Sequence, residues 1–168
     1  MVAADFTGDG KVDLLTSNQY IQDDQKCSGN GSFRVFPGNG DGTFRSPLPC
    51  SPETGQGDWG TRNIAVADLN GDGKLDVVWG NVRSSPVIIA WLGNGDGTFG
   101  KSIVIDAGTG QGAKPLAIAD VNHDGIPDIV VAAHFFEVTV LLGNGDGTFR
   151  KKLRTSDVML VCRLPIIR

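Results

Sequence analysis

The sequence predicts an all-β chain of three four-stranded antiparallel units in tandem, an incomplete β-propeller. Three observations carry this expectation. A nine-residue acidic motif, a Gly-rich heptapeptide and a Thr-Gly-Gln-Gly tetrapeptide recur in constant order along the 168 residues. Gly supplies 24 residues, about twice the usual ~7 % share. Of the 19 acidic residues only Glu53 and Glu137 are Glu, and so much Asp with so much Gly favours turns and oxygen-rich loops over helices.

The acidic motif runs Asp5-Phe-Thr7-Gly-Asp9-Gly10-Lys11-Val-Asp13 and returns at Asp68–Asp76 and Asp120–Asp128. The heptapeptide Gly-Asn-Gly-Asp-Gly-Thr-Phe occupies 38–44, 93–99 and 143–149, and the tetrapeptide 54–57 and 109–112. Between the motifs lie short β-branched runs bounded by Gly, Asn and Asp. Ile64–Ala67 leads into the second acidic loop and Val77–Trp79 leaves it. Val87–Leu92 leads into the heptapeptide and Thr98-Phe99 leaves it. Leu116–Ala119, Ile129–Ala133, Val138–Leu142 and Thr148-Phe149 repeat the scheme. Runs of this length and composition read as strands. Asn-Gly-Asp-Gly between two of them is a hairpin signal, because Asn and Gly accept positive φ. Four short strands recurring about every fifty residues describe a propeller blade.

The expected blades cover about 1–61, 62–113 and 114–153, followed by a non-repeat basic and apolar tail, 154–168. Blade one opens on a shortened strand, Met1–Ala4, and carries an insertion between Asn18 and Ser32 that holds Cys27. The charge is uneven: residues 1–149 sum to −9 and residues 150–168 to +5, within a total of −4. The acidic balance argues against a dedicated nucleic-acid binder, which needs a basic footprint. The longest apolar runs are too short to span a bilayer as a helix. The first residues, Met1-Val-Ala-Ala-Asp5, show neither the basic nor the apolar region of a signal peptide.

The acidic loops are the candidate metal sites. Asp68, Asn70, Asp72, Lys74 and Asp76 stand at positions 1, 3, 5, 7 and 9 of a loop, where alternate residues converge on one point. Position 7 offers only its backbone carbonyl, so its side chain varies between Lys11, Lys74 and Ile126. Gly at position 6 allows the sharp turn. Ca²⁺ takes six to eight hard oxygens in irregular geometry, which such a loop can supply with water. An EF-hand is excluded, since position 12 is Thr16, Trp79 or Val131 instead of the bidentate Glu. The competing expectation is a set of Asx-rich turns without metal. Three copies, each crowding carboxylates that a divalent cation would relieve, favour the ion. Loop two is expected to be best supplied, because loop one has Thr7 at position 3. His123, where the other loops have Gly, is expected to be exposed and not a ligand. Asp41, Asp96 and Asp146 are expected to form turns, and Trp79 and Trp91 to lie in the core.

This combination of Asp-x-Asn-x-Asp-Gly-x-x-Asp, a strand pair and Leu-Gly-Asn-Gly-Asp-Gly-Thr-Phe resembles the FG-GAP (VCBS-type) repeat family over about residues 1–153. The resemblance implies a β-propeller like that of integrin alpha subunits and certain lectins, with Ca²⁺ in its acidic loops. The implied ligands are Asp5, Thr7, Asp9, Lys11 (carbonyl) and Asp13; Asp68, Asn70, Asp72, Lys74 (carbonyl) and Asp76; and Asp120, Asn122, Asp124, Ile126 (carbonyl) and Asp128. Up to three Ca²⁺ are expected, one per loop. Three blades do not close a ring, so the remainder comes either from a longer protein, the favoured expectation, or from further copies.

The expected function is a calcium-stabilised extracellular or cell-surface binding module for a carbohydrate or protein ligand, of adhesion type. The alternatives are a plain scaffold and the accessory propeller of a secreted enzyme such as a lyase or lipase. Stand-alone catalysis is not expected. His123 and His134 lack catalytic partners, and Cys27, Cys50 and Cys162 have no His at a useful spacing. Trp59 and Tyr20 are the aromatic candidates for ligand contact, beside the Thr-Gly-Gln-Gly segments. Cys27 and Cys50 flank the insertion and are a candidate disulfide. Asn30-Gly31-Ser32 is a glycosylation sequon.

Overall fold

The computed structural model describes residues 1–18, 32–49, 64–80, 87–107, 114–132 and 138–154. The described residues form eleven strands and no helix. The first sheet holds β1 (Val2–Ala4), β2 (Asp13–Asn18) and β3 (Ser32–Phe36). The second holds β4 (Ile64–Ala67), β5 (Asp76–Gly80), β6 (Val87–Gly93) and β7 (Phe99–Asp106). The third holds β8 (Lys114–Ala119), β9 (Asp128–Ala132), β10 (Val138–Gly143) and β11 (Phe149–Arg154). In each sheet the strands lie side by side in chain order and antiparallel. This is the blade arrangement expected from the repeats. The ring is not closed.

Sheet one differs from its expected four strands. Gly38 and Phe44 form an isolated bridge where the fourth strand would start. Two ladder bonds follow, from the Arg45 N–H to the Pro37 carbonyl (2.8 Å) and from the Leu48 N–H to the Val35 carbonyl (2.9 Å). Pro47 and Pro49 lack the N–H that would continue the ladder, so no regular strand forms. The insertion after β2 leaves from Asn18 and returns at Ser32, which are paired across β2 and β3.

Alternation along the strands builds two apolar layers. Between sheets one and two lie Phe6, Leu15, Phe33, Val35, Val77, Trp79, Trp91 and Phe99. Their rings interlock: Phe33 meets Trp91 and Phe99 edge-on at centroid distances of 5.3 and 5.0 Å, and Trp79 lies 5.5 Å from Trp91. Such pairs add to plain area burial. Between sheets two and three the side chains are smaller and aliphatic, among them Val78, Ile88, Ala90, Ile129, Val131 and Leu141. Adjacent residues of β5 serve opposite layers, Val77 and Trp79 one, Val78 the other. That explains why the whole strand is buried.

Each hairpin turn also lies close to the acidic loop of its own sheet. The site of a Cβ on Gly93 is 2.2 Å from the Leu75 carbonyl oxygen, and on Gly38 it is 2.1 Å from that of Val12. Neither position admits a larger residue without moving the backbone. Gly93→Ala is therefore expected to lose about 2 kcal/mol of stability, as overpacking of a tight contact does. A fall in the urea midpoint at unchanged slope would confirm it; an unchanged midpoint would contradict it.

Candidate metal centre

The three acidic loops join the first strand of each sheet to the second. Position 9 opens the second strand and is fully buried in all three: Asp13, Asp76 and Asp128. Asp76 Oδ2 accepts the Leu69 N–H at 2.7 Å, and its Oδ1 accepts the Gly93 N–H at 2.8 Å. Asp128 does the same with Val121 (3.0 Å) and Gly143 (2.9 Å). Asp13 accepts from Phe6, Thr7 and Gly38 at 2.9, 3.0 and 2.7 Å. Each of these carboxylates bridges the acidic loop to the hairpin glycine of its own sheet. Burial pushes the Asp76 carboxyl above its ordinary range, helped by the charges of Asp72 and Asp68, while the N–H groups of Gly93 and Leu69 pull it back.

Position 1 closes the exposed part of the loop. Asp5 accepts from the N–H groups of Gly8 (2.7 Å), Asp9 (3.2 Å) and Gly10 (2.8 Å). Asp68 accepts from Gly71, Asp72 and Gly73 in the same way. Asp120 accepts from Asp124 and Gly125, and the Gly125 N–H leads in holding its carboxyl below the ordinary value. Position 3 converges on the same point as position 1. Asp68 Oδ1 and Asn70 Oδ1 both accept the Asp72 N–H at 3.1 Å, and Asp120 Oδ1 and Asn122 Oδ1 share the Asp124 N–H at 3.1 and 3.0 Å. In loop one the Thr7 hydroxyl oxygen is buried and makes no hydrogen bond.

Position 5 accepts the N–H of position 7: Asp9 from Lys11, Asp72 from Lys74 and Asp124 from Ile126. For Asp9 that bond is the main reason its carboxyl lies below the ordinary value. Lys11 and Arg45 stand 3.7 and 3.5 Å from Asp9 Oδ2, and Lys74 stands 3.8 Å from Asp72 Oδ2. These pairs are half exposed and contribute little stability. The variable side chain at position 7 has a use after all. A Cβ on Gly40, Gly95 or Gly145 would lie 3.3, 3.1 or 3.4 Å from side-chain carbons of Lys11, Lys74 or Ile126. Only an aliphatic stem is needed there, which Lys and Ile both have.

Among the described residues no three carboxylates, histidines or cysteines gather into a ready-made metal cage. The loop oxygens instead accept backbone N–H groups. The donor chemistry nonetheless fits a hard cation. Positions 1 and 3 already point two oxygens at one spot, and Thr7 contributes an oxygen without a partner.

An FG-GAP-like repeat model matches residues 5–79 and 68–131, and an FG-GAP repeat model matches 116–148. The chain belongs to the FG-GAP-like repeat family. Among solved structures, a lectin from Agrocybe aegerita superposes with a TM-score of 0.60 at 25 % identity. Its structure is described as showing specific recognition of non-reducing terminal N-acetylglucosamine. The match covers 91 % of this chain and 37 % of the lectin, so the chain spans well under half of that protein. No curated protein matches the chain.

Asp41, Asp96 and Asp146 form turns: each carboxylate accepts both the N–H and the hydroxyl of the Thr two residues on, and Asn39, Asn94 and Asn144 donate to the same hydroxyls. The Thr hydroxyl is the first cause holding all three carboxyls below the ordinary value. His123 is exposed, and at φ 62° it is the one non-glycine with positive φ among the described residues, in line with Gly8 and Gly71. Trp79 and Trp91 lie in the core. Tyr20, Cys27, Asn30, Cys50, Trp59, His134, Cys162, both Thr-Gly-Gln-Gly segments and residues 155–168 lie outside the described residues. The double duty of position 9 and its glycine partner escaped sequence reasoning. The similar spacing from that Asp to the hairpin Gly in blades two and three, 17 and 15 residues, is the available signal; the insertion lengthens it to 25 in blade one.

Asp76→Ala leaves the Leu69 and Gly93 N–H groups buried without an acceptor. A loss of about 3 kcal/mol is expected in chemical denaturation, with both amides losing hydrogen-exchange protection. A loss no larger than that of an exposed Asp→Ala change would refute the bridge.

The hairpin carboxyls set an acid dependence. Their folded values lie below the ordinary carboxylate value, so their contribution is present above that ordinary value and fades as pH falls through the folded values. The triple change Thr43→Val, Thr98→Val, Thr148→Val should return Asp41, Asp96 and Asp146 toward ordinary values in an NMR titration. Unmoved titrations would show that the threonines are not the cause.

Proposed function

We propose that the chain is a calcium-stabilised β-propeller binding module of an extracellular or cell-surface protein, taking a carbohydrate or protein ligand. What supports the reading most is one loop built three times, with the same converging oxygens in loops two and three, in a fold shared with a carbohydrate-recognising lectin. The module acts by binding, without catalysis of its own.

In each loop, Ca²⁺ would be held by positions 1, 3 and 5, the carbonyl of position 7 and the carboxylate of position 9. These are Asp5, Thr7, Asp9, Lys11 and Asp13; Asp68, Asn70, Asp72, Lys74 and Asp76; and Asp120, Asn122, Asp124, Ile126 and Asp128. A carboxylate has about four lone-pair sites, so position 9 can keep its two amide bonds and still face an ion. The ion would neutralise the crowded carboxylates and fix the loop between two strands, so that its binding energy becomes folding energy. Millimolar extracellular calcium suits sites of this openness. Further blades, from a longer chain or from other copies, would complete the ring. The second reading, an accessory propeller of a secreted enzyme, uses the same loops and differs only in what adjoins the module.

Calcium titration should raise the melting temperature, with up to three ions per chain. At a hundredfold excess over Kd, each independent site would add about 2.7 kcal/mol. The pair Asp68→Ala, Asp72→Ala should remove one ion and leave the others. Absence of any calcium-dependent shift in a chain that melts cooperatively would sink the metal reading. A glycan array containing terminal N-acetylglucosamine tests the ligand class, and binding to proteins alone would exclude the carbohydrate branch.

A further inference from the structure

Exposed apolar residues lie at both ends of the blade stack, at repeat positions that are buried inside it. The residue after the first Asp of each acidic loop is Phe6, Leu69 or Val121. Phe6 and Leu69 are 3 % and 1 % exposed, whereas Val121 is 43 % exposed. The following sheet makes the difference. Phe6 meets the Phe99 ring of the second hairpin at a centroid distance of 6.4 Å, and Leu69 lies in the layer against which Phe149 of the third hairpin packs. Among the described residues no sheet follows Val121.

The opposite end carries the other half of that contact. Phe44 is the hairpin residue equivalent to Phe99 and Phe149, and it is 40 % exposed where Phe99 is 8 % exposed. Gly42 is exposed, while its equivalents Gly97 and Gly147 are buried. A Cβ on Gly97 would lie 2.5 Å from Leu48, and one on Gly147 2.9 Å from Leu92, both of the preceding blade; one on Gly42 would meet nothing within 4 Å. Single exposed apolar residues are ordinary on a protein surface. Here they are the two matching halves of one repeated contact, set at opposite ends of the stack.

The sheet faces agree. Val78, Ile88 and Ala90 of sheet two are fully buried in the layer shared with sheet three. By alternation their equivalents Val130, Val138 and Val140 face away from sheet two, and all three are half-buried. Leu14 and Phe36 of sheet one also face away from sheet two and are half-buried, at the places where sheet three has Ile129 and Leu141.

We propose that the outer face of sheet three docks on the outer face of sheet one of a second copy of this chain, closing a six-bladed dimer. The occupant follows from continuity with the interfaces already present. Val121 would lie against Phe44 of the second copy as Phe6 lies against Phe99, and Leu142 against Gly42 as Leu92 lies against Gly147. Two copies bring six sheets, within the about four to eight blades with which propellers close, and three copies would bring nine. The inference deepens the proposed function by naming the source of the closing blades. It rests on the blade reading alone, not on calcium or a glycan.

The test weighs the whole chain in solution by sedimentation equilibrium over a dilution series. A particle of two chains is expected. A monomer up to ~0.1 mM, or open-ended growth into larger species, overturns the inference. Val121→Glu and Phe44→Glu change positions that are exposed in the single chain, and each should raise the dimer Kd at least about tenfold. Val104→Glu, at an exposed position on sheet two, should change it less than about twofold. Head-to-tail docking sets Val121 beside Phe44. A chain carrying Val121→Lys with Phe44→Glu should therefore dimerise at least about threefold more tightly than one carrying Val121→Glu with Phe44→Glu. Equal affinity of those two chains overturns the arrangement. If a charged variant loses its cooperative melt, Val121→Ser and Phe44→Ser decide, with an expected loss of at least about threefold; an unchanged Kd overturns the inference. Calcium and glycan binding, read separately on the same samples, keep failure of the dimer distinct from failure of the proposed function.

Discussion

The arrangement depends on a buried carboxylate that accepts backbone N–H groups from two directions. At position 9 of each acidic loop, Asp13, Asp76 and Asp128 lie fully inside the sheet. A lone carboxylate so buried would be costly. Here one oxygen takes an N–H of the loop and the other takes the N–H of the hairpin glycine, with bonds of 2.7–3.0 Å. The loop after the first strand and the turn after the third are thereby held together. This bridge sets the registry of the blade end, and a close backbone contact at Gly38, Gly93 and Gly143 is its steric counterpart.

Stacking of the blades follows from that end. The Gly97 N–H in the second hairpin donates to the Phe6 carbonyl of the first acidic loop at 2.8 Å. The site of a Cβ on Gly97 is 3.1 Å from a methyl of Thr7 and 2.5 Å from Leu48. The acidic loop of one sheet is thus packed against the hairpin turn of the next. Ions bound in such loops would act on blade stacking as well as on the loop itself. The two inter-sheet layers then bury what the strands carry, aromatic in one and aliphatic in the other.

Much of this was legible in the residues. The apolar runs at Ile64–Ala67, Val87–Leu92 and Val138–Leu142 coincide with β4, β6 and β10 to within a residue. The Asp-Gly-Thr of each hairpin marks a turn, because an Asp carboxylate can accept the N–H two residues on and Gly accepts positive φ. The missing fourth strand of sheet one was also written in the sequence, in Pro47 and Pro49, but the repeat pattern masked it. The second role of position 9 was not legible. A motif shows which oxygens share a loop, and does not show that a glycine 15 to 25 residues away offers its N–H to one of them.

The sequence by itself determined the strand content, the turn positions, the threefold repeat and the set of oxygens in each acidic loop. These follow from local chemistry: alternation, glycine conformation and motif spacing. Only the tertiary structure decided which oxygens face backbone N–H groups and which hydroxyl is left without a partner. Those outcomes depend on distances between residues far apart in the chain, and packing sets such distances only after the strands are in place.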